Sequence, residues 1–179
     1  MVPEAIRSSY TGGKDRVIGV RKLVMGKNSE LKRSIRDVLG SQGVAVLSTR
    51  GEEFPHACLV AFAFSQDLDL IIFATSRSSR KYDNIKQDHR ASILVDTRIN
   101  AADDFQKASV VSANGFIDEL SGSDAGKLGK QFLDRHPYLE DFLAAPTTAL
   151  MGMKVASYAL VSRFQNVVIL EMENGSSEN

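Results

Sequence analysis

A chain of 179 residues, 43% hydrophobic and 25% charged, has the composition of one ordinary globular domain and is too short for two comfortable ones. Lysine plus arginine equals aspartate plus glutamate at 22 each, so there is no net positive field of the kind that binds nucleic acid or an anionic membrane. A single cysteine, Cys58, excludes an intramolecular disulfide and any multi-cysteine metal site. The absence of an apolar leader or a long apolar run leads us to expect a cytoplasmic protein with no membrane association.

Residues 1–28 read as an extended N-terminal arm with at most one short strand, punctuated by Ser8-Ser9, Gly12-Gly13 and Gly26 and rich in basic residues. Residues 29–172 form the domain, and residues 173–179 a frayed polar tail. Ser29 caps a helix whose Leu31, Ile35, Val38 and Leu39 fall on one face, and Gly40 and Gly43 end it. Three apolar runs follow, Gly43 to Thr49, His56 to Ser65 and Leu70 to Ala74. Their links are short and polar, which makes an antiparallel meander the economical pairing. A short helix is predicted from Arg80 to Gln87, then a strand Ala91 to Val95, an irregular stretch Asp96 to Phe105, and a long strand Ala108 to Leu120 with a bulge or bend at Gly115. A helix over about Asp124 to Asp134 ends at His136-Pro137, and Tyr138 to Ala144 adds a turn or two. Strands at Leu150 to Phe164 and Val167 to Met172 complete the chain. Six or seven strands with helices only in some connections predict a mainly β (α+β) fold: an antiparallel barrel with peripheral helices, though the count alone also allows an open α+β sheet.

The stretch Ile71 to Asp96 carries the chemistry. A helix N-terminus bears roughly +0.5 of an elementary charge, so a basic residue there costs roughly 0.3–1 kcal/mol. Arg77, Arg80 and Lys81 nevertheless sit at or just before the first turn of the Arg80 helix, among the hydroxyls of Thr75, Ser76, Ser78 and Ser79. A bound anion, above all a phosphate, would reverse the sign of that cost. The same residues also read as a solvated basic turn capped by a serine.

Histidines 56, 89 and 136 lack any metal-ligand spacing, so no metal site is expected. No nucleophile elbow, dinucleotide fingerprint or Walker loop is present. Cys58, in the run CLVAFAF, reads first as a small core residue. No catalytic residue is named by the sequence.

The order strand, Thr75-Ser76, two-residue spacer, Ser79-Arg80-Lys81, short helix with Asn84-Ile85, and strand Ala91 to Val95 resembles the pyridoxamine 5′-phosphate oxidase family and its FMN-binding split-barrel relatives. The looser match runs from about Ser34 to Phe164. The resemblance implies a split β-barrel and an FMN cofactor, with deazaflavin and haem as alternatives. It also implies a homodimer with the flavin at the subunit interface and a small-molecule substrate. Under it, Arg80 and Lys81 neutralise the phosphate, Ser79 and Ser76 hydrogen-bond to it or the ribityl chain, and Thr75 contacts the ring or its tether. His56 or Cys58 would face the ring, and Arg163 and Phe164 would reach the partner's site. The oxidase proper carries an arginine and a lysine on the strand before the Ser-Arg-Lys segment and a C-terminal tryptophan; here Cys58 to Phe64 is apolar and the chain has no tryptophan. The expectation is therefore an FMN-dependent oxidoreductase for an unknown small substrate, with a non-catalytic flavin or haem carrier as the alternative and a dimeric interaction module with a vestigial site as a third. A flavin would supply the redox chemistry itself, which suits a chain with no evident acid–base set.

Overall fold

A computed structural model of the chain describes residues 20–22, 28–163 and 166–172. Most of the arm, the tail and Phe164 lie outside the described residues.

The first helix, α1 (Asn28–Ser41), buries the expected stripe Leu31, Ile35, Val38 and Leu39. Strands β2 (Val44–Thr49), β3 (His56–Phe64) and β4 (Leu70–Ser76) form the meander, with Val46 opposite Leu59 and Phe62 opposite Phe73. After α2 (Arg80–Gln87), strand β5 (Arg90–Asp96) returns to the other side of β2. Beyond the short helix α3 (Asp104–Lys107) come β6 (Val110–Glu119), α4 (Gly122–Arg135), α5 (Glu140–Ala144), the 15-residue β7 (Thr148–Ser162) and β8 (Asn166–Glu171). Six strands, in the order β7-β4-β3-β2-β5-β6, close into an antiparallel barrel when β6 pairs back onto β7. Strand β8 extends the sheet beyond the upper half of β7, and β1 (Val20–Lys22) pairs in parallel with β8.

This is the split barrel that the resemblance implies, with eight strands among the described residues where six or seven are predicted. The difference is the three-residue β1, whose pairing partner lies far along the chain at Val167 to Ile169. The stretch predicted as irregular also holds the four-residue α3. Its periodicity is too short to read.

Alternate residues of the barrel strands, among them Leu47, Phe62, Phe73, Ile93, Val111, Met151 and Tyr158, fill one core together with the apolar face of α1. A second, smaller cluster on the outer side places Ala63, Ile72 and Leu150 beneath Phe132 of α4. His136, at the end of α4, is buried with both ring nitrogens bonded: Nε2 donates to the Phe62 carbonyl at 2.8 Å, and Nδ1 accepts from the Tyr138 hydroxyl at 3.1 Å. It is a structural histidine. Gly115 sits where the β6–β7 register shifts, at the predicted bulge.

Candidate functional site

Strand β4 points Ile71, Phe73 and Thr75 inward and alternates them with outward residues, so Thr75 ends the buried row with 2% of its surface exposed. Its hydroxyl lies 2.9 Å from that of Ser79. Ser79 is extended (φ −90°, ψ 146°) and caps α2, its hydroxyl accepting the Tyr82 N–H at 3.3 Å. The N–H groups of the next two residues have no acceptor within the helix. They open onto the side chains of Arg80, exposed, and Lys81, half-buried. Neither cation enters any of the ion pairs formed among the described residues.

Helix α2 is seated from below. Asn84 and Ile85 are its buried face, and Asn84 donates from Nδ2 to the hydroxyl of Thr49, the last residue of β2, at 3.0 Å. The β2–β3 loop folds under Arg80 at Gly51, where a Cβ would collide with the Phe54 carbonyl oxygen and lie 3.6 Å from an Arg80 guanidinium nitrogen. Opposite Thr49, His56 begins β3 with a buried Nδ1 that has no hydrogen-bond partner. Two residues on and facing the same side, the half-buried Cys58 points its thiol toward the Leu47 carbonyl at 3.8 Å. Burial pushes the Cys58 pKa up, and the nearby Lys81 charge opposes this without reversing it. The thiol is protonated at neutral pH.

Of the residues singled out in the sequence, the structure thus brings Thr75, Ser79, Arg80 and Lys81 to one end of the barrel, with Cys58 and His56 on the wall beside them. Ser76 is placed differently. Strand alternation turns it to the outer side of β4, opposite Thr148, and its hydroxyl pairs with that of Ser78 at 2.9 Å. Arg77 is also turned away. It donates to the Pro146 carbonyl at 2.8 Å and to the Thr148 carbonyl, and it forms an ion pair with Glu119. Arg163, at the end of β7, has a left-handed backbone with φ 46° and is exposed. Thr49, Gly51, Glu119 and Tyr82 are the participants that sequence reasoning missed. Asn84 stands within the family motif, without a role there, and it lies on the side of α2 that also holds Ile85.

A cavity of about 560 Å³ lies at the opposite end of the barrel, walled by Leu94, Phe105, Ala108, Val110 and Val161. Between the two ends the outer face of β3, β2 and β5 carries one apolar row, and the row nearer Thr49 is Ala57, Ser48 and Ser92. Leu59 lies opposite Val46, which lies opposite Leu94, and Leu59 is 68% exposed. Among the described residues no group of three or more His, Cys, Asp or Glu side chains could hold a metal ion, and no helix is long and apolar enough to cross a membrane.

The family model described as pyridoxamine 5′-phosphate oxidase matches residues 31–162 of this chain. No curated protein matches it. Among solved structures, a haem-binding protein from Mycobacterium smegmatis superposes with TM-score 0.70 at 17% identity, covering 83% of this chain and 60% of its own. The chain thus spans well under two thirds of that protein. General stress protein 26 from Bacillus anthracis superposes with TM-score 0.63 at 17% identity over 80% of this chain and 99% of its own. An FAD-binding protein from Mesorhizobium loti gives TM-score 0.57 at 17% identity over 72% and 90%. At such identities these likenesses speak to the fold.

Proposed function

Because the chain belongs to the pyridoxamine 5′-phosphate oxidase family, we propose that it binds FMN with the phosphate at the start of α2 and acts as an oxidoreductase on a small organic molecule. The observation that carries this reading is the pair Arg80 and Lys81, two cations at a positive helix end with no counter-ion among the described residues. Left alone, that arrangement is repulsive. A phosphate dianion converts it into charge-assisted contacts with the two side chains, the first-turn N–H groups and the Ser79 and Thr75 hydroxyls. The donor set fits such a group, since it offers donors and positive charge and no carboxylate. Bound flavin would supply the hydride and electron chemistry, and the protein's part is to hold, orient and shield it.

The protein acts as a homodimer in this reading. An apolar row on the outer face, Leu59, Val46 and Leu94, leads toward the cavity beside Phe105, and the row Ala57, Ser48 and Ser92 continues that face to the phosphate end. A two-fold axis perpendicular to that face would set the phosphate end of one protomer against the cavity end of its partner, because rotation about such an axis exchanges the two ends of the patch. The Phe105 cavity then becomes the substrate side of the partner's flavin site. The test is spectroscopic: protein given FMN and freed of excess retains a flavin spectrum, a nicotinamide donor bleaches it, and an acceptor restores it. Flavin that is retained but that no donor reduces would replace the enzyme with a flavin carrier. Retained deazaflavin in place of FMN would keep the fold of the argument and change the cofactor.

A second reading, haem binding, is favoured by the fold likeness to the haem-binding protein of M. smegmatis. In this chain it would rest on His56, whose Nδ1 is buried without a partner; His136 is unsuited, with both ring nitrogens bonded. Added haemin giving a Soret band that is lost in His56→Ala supports it; an unchanged band in that variant removes it.

A further inference from the structure

We propose that Glu119 is a positioning residue for the anion cradle, locking the Thr75–Ser79 turn and α2 into one rigid unit while taking Arg77 out of the cation cluster. The proposal rests on the phosphate reading above and assigns a role to a residue of β6, which is separated from β4 by the single strand β7.

Glu119 is the last residue of β6, opposite Met151 of β7. One carboxylate oxygen takes the ion pair with Arg77, in the turn; the other accepts the Tyr82 hydroxyl, in the first turn of α2, at 2.8 Å. Arg77 is held from the other side too, by the Pro146 and Thr148 carbonyls, and its own N–H donates to the Thr147 carbonyl at 2.8 Å. The end of β6, the turn and the start of α2 are therefore cross-linked through a single carboxylate, and Arg77 ties the same turn to the segment before β7. Burial alone would raise the Glu119 pKa, but the hydrogen bonds from Tyr82 and Arg77 and the Arg77 charge outweigh it and hold the carboxyl below its ordinary value. The same bond raises the Tyr82 pKa. Both shifts favour the bridged form at neutral pH.

The bridge sorts three neighbouring cations by role. Arg77 is neutralised and pinned, whereas Arg80 and Lys81, one helix turn on, keep their charge for a ligand. Charge and position then make opposite predictions for loss of the carboxylate. If Glu119 acted only as a local negative charge, removing it would strengthen anion binding, since one more positive charge would be uncompensated nearby. If it positions the turn, its removal weakens binding, because Ser79 and the first-turn N–H groups lose their fixed geometry.

The experiment measures FMN affinity by quenching of flavin fluorescence, at low and high salt, for wild type, Glu119→Ala, Glu119→Gln, Tyr82→Phe and the Arg80→Ala, Lys81→Ala pair. Amide hydrogen exchange over residues 77–82 is followed in the same proteins without FMN. Glu119→Ala is expected to bind FMN roughly tenfold more weakly at both salt concentrations, with faster exchange confined to the turn and the start of α2. Glu119→Gln, which keeps acceptor and shape, recovers part of the loss, and Tyr82→Phe shows a smaller one. These two milder variants decide the matter if Glu119→Ala does not fold. Affinity in Glu119→Ala equal to or above wild type, or unchanged exchange over residues 77–82, overturns the proposal. Wild type that binds no FMN, or an Arg80→Ala, Lys81→Ala protein that binds it normally, instead removes the phosphate reading and the proposal with it.

Discussion

Replacing Gly115 with alanine tests the closure of the barrel at its most demanding point. A Cβ on Gly115 would fall far inside van der Waals contact distance of the Lys154 carbonyl oxygen and only 3.0 Å from both the Lys154 carbonyl carbon and Val155 Cα. Carbon and oxygen in favourable contact stand roughly 3.3–3.6 Å apart, so the strands must part by roughly an ångström or more. What stands in the way is backbone, which no rotamer change can move aside. Overpacking in a well-packed core costs roughly 1–3 kcal/mol. The upper end applies here, because β6 is held on its other side by seven consecutive pairs with β5 and cannot drift outward alone. For a domain of this size each kcal/mol moves the melting temperature by roughly 2–4 °C, so a fall of about 6–12 °C is expected by circular dichroism or calorimetry. Gly126→Ala is the control: it lies on the exposed side of α4 with nothing near its would-be Cβ, and the same substitution should there stabilise by roughly 0.5–1 kcal/mol. A Gly115→Ala protein that melts within about 2 °C of wild type would refute the reasoning, since a loss that small corresponds to no more than about 1 kcal/mol.

Three further outcomes are expected. Tyr158→Phe removes the buried hydroxyl that donates to the Leu68 carbonyl at 2.8 Å and leaves that carbonyl unpaired beside a left-handed Leu68 (φ 65°); denaturant unfolding should show a loss of roughly 1–3 kcal/mol. Cys58 should be alkylated by iodoacetamide with a pH–rate midpoint above that of a free thiol, and Lys81→Ala should move the midpoint further up, because Lys81 is the group that lowers it; a downward move would contradict the placement. The folded pKa of Glu119 is depressed, so its stabilisation is present above its ordinary pKa and lost as the pH falls through the folded one. The melting temperatures of wild type and Glu119→Gln should therefore differ at about pH 6 and converge as the pH falls through the folded pKa of Glu119.

Much of this architecture is written in short-range pattern. The runs Leu70 to Ala74 and Ala91 to Val95, the stripe on α1 and the lone glycine within Ala108 to Leu120 are local features with one physical meaning each, and each is found at its expected place. The cradle was legible to the extent that it is local, since Ser79, Arg80 and Lys81 are neighbours in sequence at a helix start. The fate of Arg77 was not, because its partners Glu119, Pro146 and Thr148 lie 42, 69 and 71 residues away. Ser76 is a different case. The period-two alternation of Ile71, Phe73 and Thr75 already assigns Ser76 to the opposite face, so the sequence held the signal that separates the two hydroxyls. The wall made by His56, Cys58, Thr49 and Asn84 depends on the β2–β3 register, which the loop residues Arg50 to Pro55 do not specify by themselves.

The most direct test of the account is the dissociation constant for FMN of the wild-type protein beside that of the Arg80→Ala, Lys81→Ala variant. The account predicts saturable binding by the wild type and a loss of roughly a hundredfold or more in the variant, two charged phosphate contacts at roughly 1.5–3 kcal/mol each, with the melting temperature of the ligand-free protein nearly unchanged. Equal affinity in the two proteins, or no binding in either, would contradict it.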